Sequence, residues 1–167
     1  MTDDRIPGEA TNPSPPRDRV VEEVAQQPSR DAPTLDLEGA VGIGVDLVAI
    51  TAFAEQLEEP GTRFARVFTP GERRTAGDDP QRLAARWAAK EAVIKAWSST
   101  YAGRPDAIDR DHVDLREIEV RTDAWGRPSI RLHGEIARGM AGYTVLVSLT
   151  HDPAADTAAA FVVLQKT

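Results

Sequence analysis

The chain has 167 residues and a formal net charge of −7, which argues against nonspecific nucleic-acid binding. It contains no cysteine, so disulfides, thiolate metal sites and a cysteine nucleophile are excluded. No apolar run approaches the roughly 20 residues that span a bilayer, and the N-terminus lacks the apolar core and cleavage site of a secretory signal. A soluble cytoplasmic protein is expected, with neither nucleic acid nor membrane as partner.

Composition divides the sequence in two. Residues 1–40 hold six of the twelve prolines, none of the nine aromatic residues and a net charge of −5. Such a segment buries too little apolar area to offset its ordering entropy, so a disordered, Pro-rich acidic extension is expected over 1–40. A short helix near Val20–Gln27 is compatible with its sequence. Residues 41–167 carry 18 acids against 16 bases and every aromatic residue, and form the predicted folded domain.

Within that domain Val41–Ile50 reads as a buried strand, with Gly42 and Gly44 allowing close backbone approach. Thr51 is placed to N-cap a helix running to Glu58, stopped by Pro60-Gly61. Thr69-Pro70-Gly71-Glu72 has the pattern of a capping box, opening a short helix that ends near Gly77. Asp79-Pro80 then opens a long helix from Gln81 to Ser98, followed by a loop to Asp111. Leu115–Thr122 and Pro128–Leu132 read as strands joined through Asp123–Arg127. Ile136–Ala141 reads as a short helix. Tyr143–Leu149 and Ala158–Leu164 read as strands flanking His151-Asp152-Pro153. These elements predict an α+β domain, with a mostly antiparallel sheet packed against one long helix.

Three side chains suggest chemistry. Asp46 lies in an apolar strand, where a carboxylate is costly unless paired, hydrogen-bonded or bound to metal. A strand-end carboxylate capping the next turn is the plain alternative. Glu91 and Lys95 lie four apart on the long helix and share a face, as in an ordinary surface ion pair. Taken together, Asp46 and Glu91 supply two hard oxygen ligands that suit Mg²⁺, and Lys95 supplies positive charge for a phosphoryl group. Lys90 sits roughly 100° around the helix from Glu91. It is placed either to meet a second phosphate or to be solvated.

Two motifs carry a family resemblance. Gly42-Ile43-Gly44-Val45-Asp46-Leu47-Val48-Ala49-Ile50 and Arg86-Trp87-Ala88-Ala89-Lys90-Glu91-Ala92-Val93-Ile94-Lys95-Ala96 together resemble the signature pair of holo-[acyl-carrier-protein] synthases. These are the short-type 4′-phosphopantetheinyl transferases. The resemblance extends through Phe68–Glu72, Ile118–Val120, Gly126–Pro128 and Val147–His151. It implies the 4′-phosphopantetheinyl transferase fold. It also implies transfer of phosphopantetheine from coenzyme A to a serine of apo acyl carrier protein, with adenosine 3′,5′-bisphosphate as the other product, in fatty acid biosynthesis.

On this resemblance Asp46 and Glu91 are the expected Mg²⁺ ligands. Glu91, directly or through a water, is the expected base, and Lys95 stabilises the leaving phosphate. Lys90, Arg86 and His151 are the expected coenzyme A contacts, with Asp152 a weaker candidate beside His151; the plain alternatives are an exposed arginine at Arg86 and a structural or exposed histidine at His151. A homotrimer is expected, with active sites between subunits. Arg63, Arg66, Arg73 and Arg74 form a basic cluster suited to an acidic carrier protein, or else a solvated surface. Two departures stand out. Thr51–Gln56 lacks the basic residue the family often carries for carrier contact, and Ser98-Ser99-Thr100 replaces a more glycine-rich loop. A non-catalytic module of the same fold would have no need of Asp46, Glu91 and Lys95 together. A two-repeat transferase would need a longer chain.

Overall fold

The computed structural model describes residues 39–62, 64–106 and 112–167. All but the last two positions of the acidic extension, and the helix read near Val20–Gln27, lie outside the described residues. Strand β1 spans Ala40–Ala49, and helix α1 follows at once over Ile50–Glu58. Helix α1 stops at Glu59, which takes the extended backbone favoured before Pro60. A 3₁₀ turn covers Phe64–Val67, and α2 spans Pro70–Ala76. The capping box is formed as the sequence predicts: Thr69 Oγ1 accepts from Glu72 N, and Glu72 Oε2 accepts from Thr69 N at 2.8 Å. Helix α3 runs over Pro80–Ser99, with Asp79 capping Gln81 N at 2.9 Å.

Leu115–Glu117 winds into a 3₁₀ turn where a strand was expected, because the Asp114 side chain caps Arg116 N. Strand β2 (Ile118–Thr122) then pairs with β3 (Pro128–Leu132) as an antiparallel hairpin. Helix α4 spans Gly134–Gly139. Strands β4 (Tyr143–Asp152) and β5 (Thr157–Lys166) are longer than expected, so His151 and Asp152 belong to β4 rather than to the turn after it. The larger sheet has the order β1-β5-β4, every pair antiparallel. The fold is α+β, as the element pattern predicts.

Helix α3 lies across one face of that sheet. Small residues on both sides set how closely it packs: Ala88, Ala89, Ala92 and Ala96 on the helix, Ala158 and Ala160 on β5, all buried. The two glycines of β1 bring backbone against backbone. A Cβ on Gly44 would overlap Ala92 O and come within 2.6 Å of Ala96 N, and one on Gly42 would overlap Ala96 O. Ser99, in place of a glycine-rich loop, accepts a hydrogen bond from Ile43 N at 3.1 Å and so ties the end of α3 to β1.

Two expectations fail, each for its own reason. Strand β1 is buried on one face only: Ile43, Val45 and Leu47 are 57%, 46% and 67% exposed. Helix α3 covers the Gly42, Gly44, Asp46 and Val48 face alone. Thr51 does not cap α1 either. Ala49 holds the cap position without a side-chain bond, and Asp156, in the β4–β5 turn, supplies the missing acceptor. Its Oδ1 accepts from Thr51 N and Thr51 Oγ1, both at 2.8 Å, and its carbonyl accepts from Ile50 N. Asp156 has the left-handed backbone that aspartate tolerates in turns (φ 48°).

The β2–β3 hairpin is pinned to α2 through Glu119, which accepts from Thr69 Oγ1 at 3.1 Å and meets His133 Nε2 at 3.2 Å. Burial pushes the Glu119 carboxyl up, but the bonds from His133 and Thr69, with the nearby charges of His133 and Arg121, outweigh it and hold the group below its ordinary 4.5. A depressed carboxylate contributes stability in full above its unfolded pKa and loses it as pH falls through the folded one. Urea unfolding should find Glu119→Gln less stable than wild type near neutral pH, with the gap narrowing below pH 4.5. A gap that stays constant into acid would contradict this role.

Candidate active site

Three of the residues read from the sequence meet in one groove of about 380 Å³. Asp46 enters from β1, and Glu91 and Lys95 from the adjoining face of α3. Helical spacing puts Trp87, Glu91 and Lys95 on that one face, and the close β1–α3 approach brings Asp46 beside it. Lys95 Nζ donates to Asp46 Oδ1 at 2.7 Å. The Lys95 side chain is 45% exposed and that of Asp46 only 14%. An acid of the strand and an amine of the helix are therefore already in register.

Part of the groove wall is aromatic. Phe64 stacks on Trp87 with ring centroids 4.3 Å apart, and Phe53 of α1 packs against both at 6.0 and 6.1 Å. This wall lowers the local dielectric beside the carboxylates and strengthens any charge interaction made there. Nothing local in the sequence marks Phe53 and Phe64 as part of this site.

The donor set fits one kind of metal ion. Among the described residues no third His, Asp, Glu or Cys joins Asp46 and Glu91 into a larger cluster. A two-carboxylate site of this kind suits Mg²⁺, which keeps several waters and takes substrate phosphates as further ligands. It does not suit an ion that demands a cage made wholly of protein.

The remaining expected contacts lie elsewhere. Lys90 is neither solvated nor open to a phosphate. Its ammonium is fully buried and donates to Glu72 Oε2 and Leu115 O, each at 3.0 Å, and to Ile118 O. Its three donors are thereby used, which corrects its assignment as a coenzyme A contact. Burial pushes the Lys90 ammonium down from its ordinary value, and the charge of Glu72 works against that shift. Arg86 is buried as well, not exposed. Nη1 donates to Arg82 O and Nη2 to Thr75 Oγ1, while Nε has no partner among the described residues.

A signal for both burials was present in the sequence. Leu83, Arg86, Lys90, Val93 and Trp97 follow the 3–4–3–4 spacing of one helical stripe, and all five are buried. His151 is exposed near the end of β4, opposite Ala158, which in turn pairs with Val48. Asp152 follows it at the end of the strand, also exposed. Within the basic cluster Arg63 lies outside the described residues. Arg66 and Arg73 line a second groove with Arg116 and His133, and Arg74 lines a third with Arg121 and Arg131. The cluster is therefore split between two surfaces.

A model of the 4′-phosphopantetheinyl transferase superfamily matches residues 42–162. The chain belongs to that superfamily. The match takes in most of β1, all of α3 and the first part of β5, and with them every residue of the groove. Holo-[acyl-carrier-protein] synthase of Mycobacterium ulcerans is 58% identical over 132 residues, covering 76% of this chain and 98% of the relative. That of Mycobacterium tuberculosis strain H37Rv is 57% identical over the same length. Among solved structures, the ACPS–CoA complex of Chronobacterium ammoniagenes matches with a TM-score of 0.71 and 45% identity, over 75% of this chain and 97% of that one. The acyl carrier protein synthase of Mycobacterium tuberculosis matches with a TM-score of 0.63 and 52% identity, over 77% and 100%.

The Lys95–Asp46 pair sits at the rim of the groove, where exposed ion pairs contribute at most about 1 kcal/mol. Lys95→Met should shift the unfolding free energy by no more than that in a urea titration. A larger loss would mean that the pair carries the fold rather than the site.

Proposed function

We propose that the chain transfers 4′-phosphopantetheine from coenzyme A to a serine of apo acyl carrier protein and releases adenosine 3′,5′-bisphosphate. The observation that carries this reading is the convergence of Asp46, Glu91 and Lys95 in one groove, within a domain of the transferase superfamily. Asp46 and Glu91 would hold Mg²⁺. Such an ion neutralises the pyrophosphate of coenzyme A when bound. Glu91, directly or through one water, takes the serine proton as the serine oxygen attacks the β-phosphorus. The bond from that phosphorus to the bridging oxygen breaks. The leaving adenosine bisphosphate is stabilised by Lys95, which exchanges its contact with Asp46 for a phosphate oxygen. His151 on the open end of β4 is assigned to the phosphates of coenzyme A.

The reading extends to fatty acid biosynthesis in the cytoplasm, where coenzyme A and carrier protein meet. Among the described residues no helix is long and apolar enough to cross a membrane. We assign a homotrimer on the apolar outer face of the larger sheet. Ile43, Val45 and Leu47 of β1, Leu146 of β4 and Phe161 of β5 are all large, apolar and exposed there. Together they form a patch that a solitary soluble domain rarely presents. Leu47→Asp should convert a trimer into monomers in sedimentation velocity. A wild-type protein that sediments as a fully active monomer would overturn the assembly.

The activity is tested by incubating the protein with coenzyme A, Mg²⁺ and an apo carrier protein and weighing the carrier. A gain of one phosphopantetheine is expected, and EDTA should abolish it. Glu91→Gln should lower kcat by about 100- to 1,000-fold, the usual loss when a preorganised charged group is removed. A carrier of unchanged mass would refute the reading.

A further inference from the structure

The groove uses one face of α3, and the buried pair Lys90–Glu72 lies on another. The pair is an unusual investment for a small domain. Both side chains are fully buried, and Lys90 Nζ lies 3.0 Å from Glu72 Oε2. Glu72 also accepts from Thr69 N at 2.8 Å and from Val120 N at 2.9 Å. Lys90 adds the carbonyls of Leu115 and Ile118. Two side chains thus bind α3 to the start of α2, to the 3₁₀ turn at Leu115 and to β2. None of these contacts touches the groove.

We propose that Lys90 and Glu72 are positioning residues for the transferase centre, fixing the rotation of α3 about its axis so that Glu91 faces Asp46. Glycine contacts cannot do this alone. Gly42 and Gly44 set how near β1 and α3 lie, but beyond the Ile43–Ser99 bond at the end of α3 the alanines and glycines of this seam add little resistance to helix rotation. Buried hydrogen-bonded charges are directional and have one acceptable geometry, and setting register is their best-attested use. Each residue step along the helix turns about 100°. Lys90 precedes Glu91 directly, so a small rotation at Lys90 moves the Glu91 carboxylate sideways from the groove. An ångström of misplacement costs a catalytic group on the order of 100-fold.

This inference rests on the proposed transferase activity, and the test separates the two. Lys90→Met keeps the length of the side chain and removes its donors. Lys90→Met/Glu72→Gln removes the unpaired carboxylate as well, as a second variant less prone to misfolding. Each is measured as a folded protein, checked by circular dichroism at the assay temperature, with wild type alongside. The expected result is a kcat lowered at least 10-fold with KM for coenzyme A within two-fold, because the ligand pocket persists while Glu91 is misaimed. A pair that only stabilises the fold would leave kcat of the folded protein unchanged. Inactive wild type refutes the transferase reading itself. Active wild type with kcat within two-fold in a folded variant, a rise in KM in place of the fall in kcat, or loss of fold in both variants overturns the positioning role.

Discussion

The backbone contact between β1 and α3 governs most of what this domain can do. Strand and helix meet where Gly42 and Gly44 lie under the carbonyls of Ala96 and Ala92, and at Gly44 the nearest atoms are all backbone. Wider spacing would leave room for a layer of ordinary apolar side chains, and Asp46 would no longer reach Lys95. At this separation a carboxylate two residues past Gly44 meets an amine one turn past Glu91. The site is thus a by-product of how tightly two elements pack, and its polar groups need no loop to carry them.

Against that seam, the far side of α3 is held by charge. A buried ion pair adds little net stability, since desolvation offsets its attraction, yet removing one partner leaves the other uncompensated at about 3–5 kcal/mol. Glu72 avoids that cost by serving at once as a capping-box residue, as the partner of Lys90 and as an acceptor for β2. The same residue that starts α2 therefore also locates α3 and the hairpin. Asp156 works similarly at a distance of 105 residues, beginning α1 from within another turn.

How much was legible in the sequence follows from these partners. Asp46, Glu91 and Lys95 were readable because an acid in an apolar strand and an i,i+4 pair are local patterns, and the resemblance joined them. The capping box of α2 and the start of α3 were local too, and Thr69, Glu72 and Asp79 stand where their sequence puts them. Lys90 and Arg86 were misread because a charged residue on a helix is assumed to face water, though their stripe spacing with Leu83, Val93 and Trp97 said otherwise. Thr51 lost its cap to Asp156, a partner no local pattern could name. Strand β1 looked fully buried because its sequence is apolar on both faces, while its own fold covers only one.

The alanines of α3 have a thermodynamic side. Ala84, Ala85, Ala88, Ala89, Ala92 and Ala96 are all buried, and none loses rotamer entropy on folding. Ordering such a core is easy, but each methyl removes little apolar area from water, and the hydrophobic gain scales with that area. The α3 seam is therefore precise but contributes little hydrophobic stabilisation for its length. Larger aliphatic side chains such as Ile118, Ile136, Val162 and Leu164 complete the core, while Ile43, Val45 and Leu47 stay exposed on the outer face of the sheet. In the proposed trimer, burial of that outer face would add the missing apolar area and make stability depend on protein concentration.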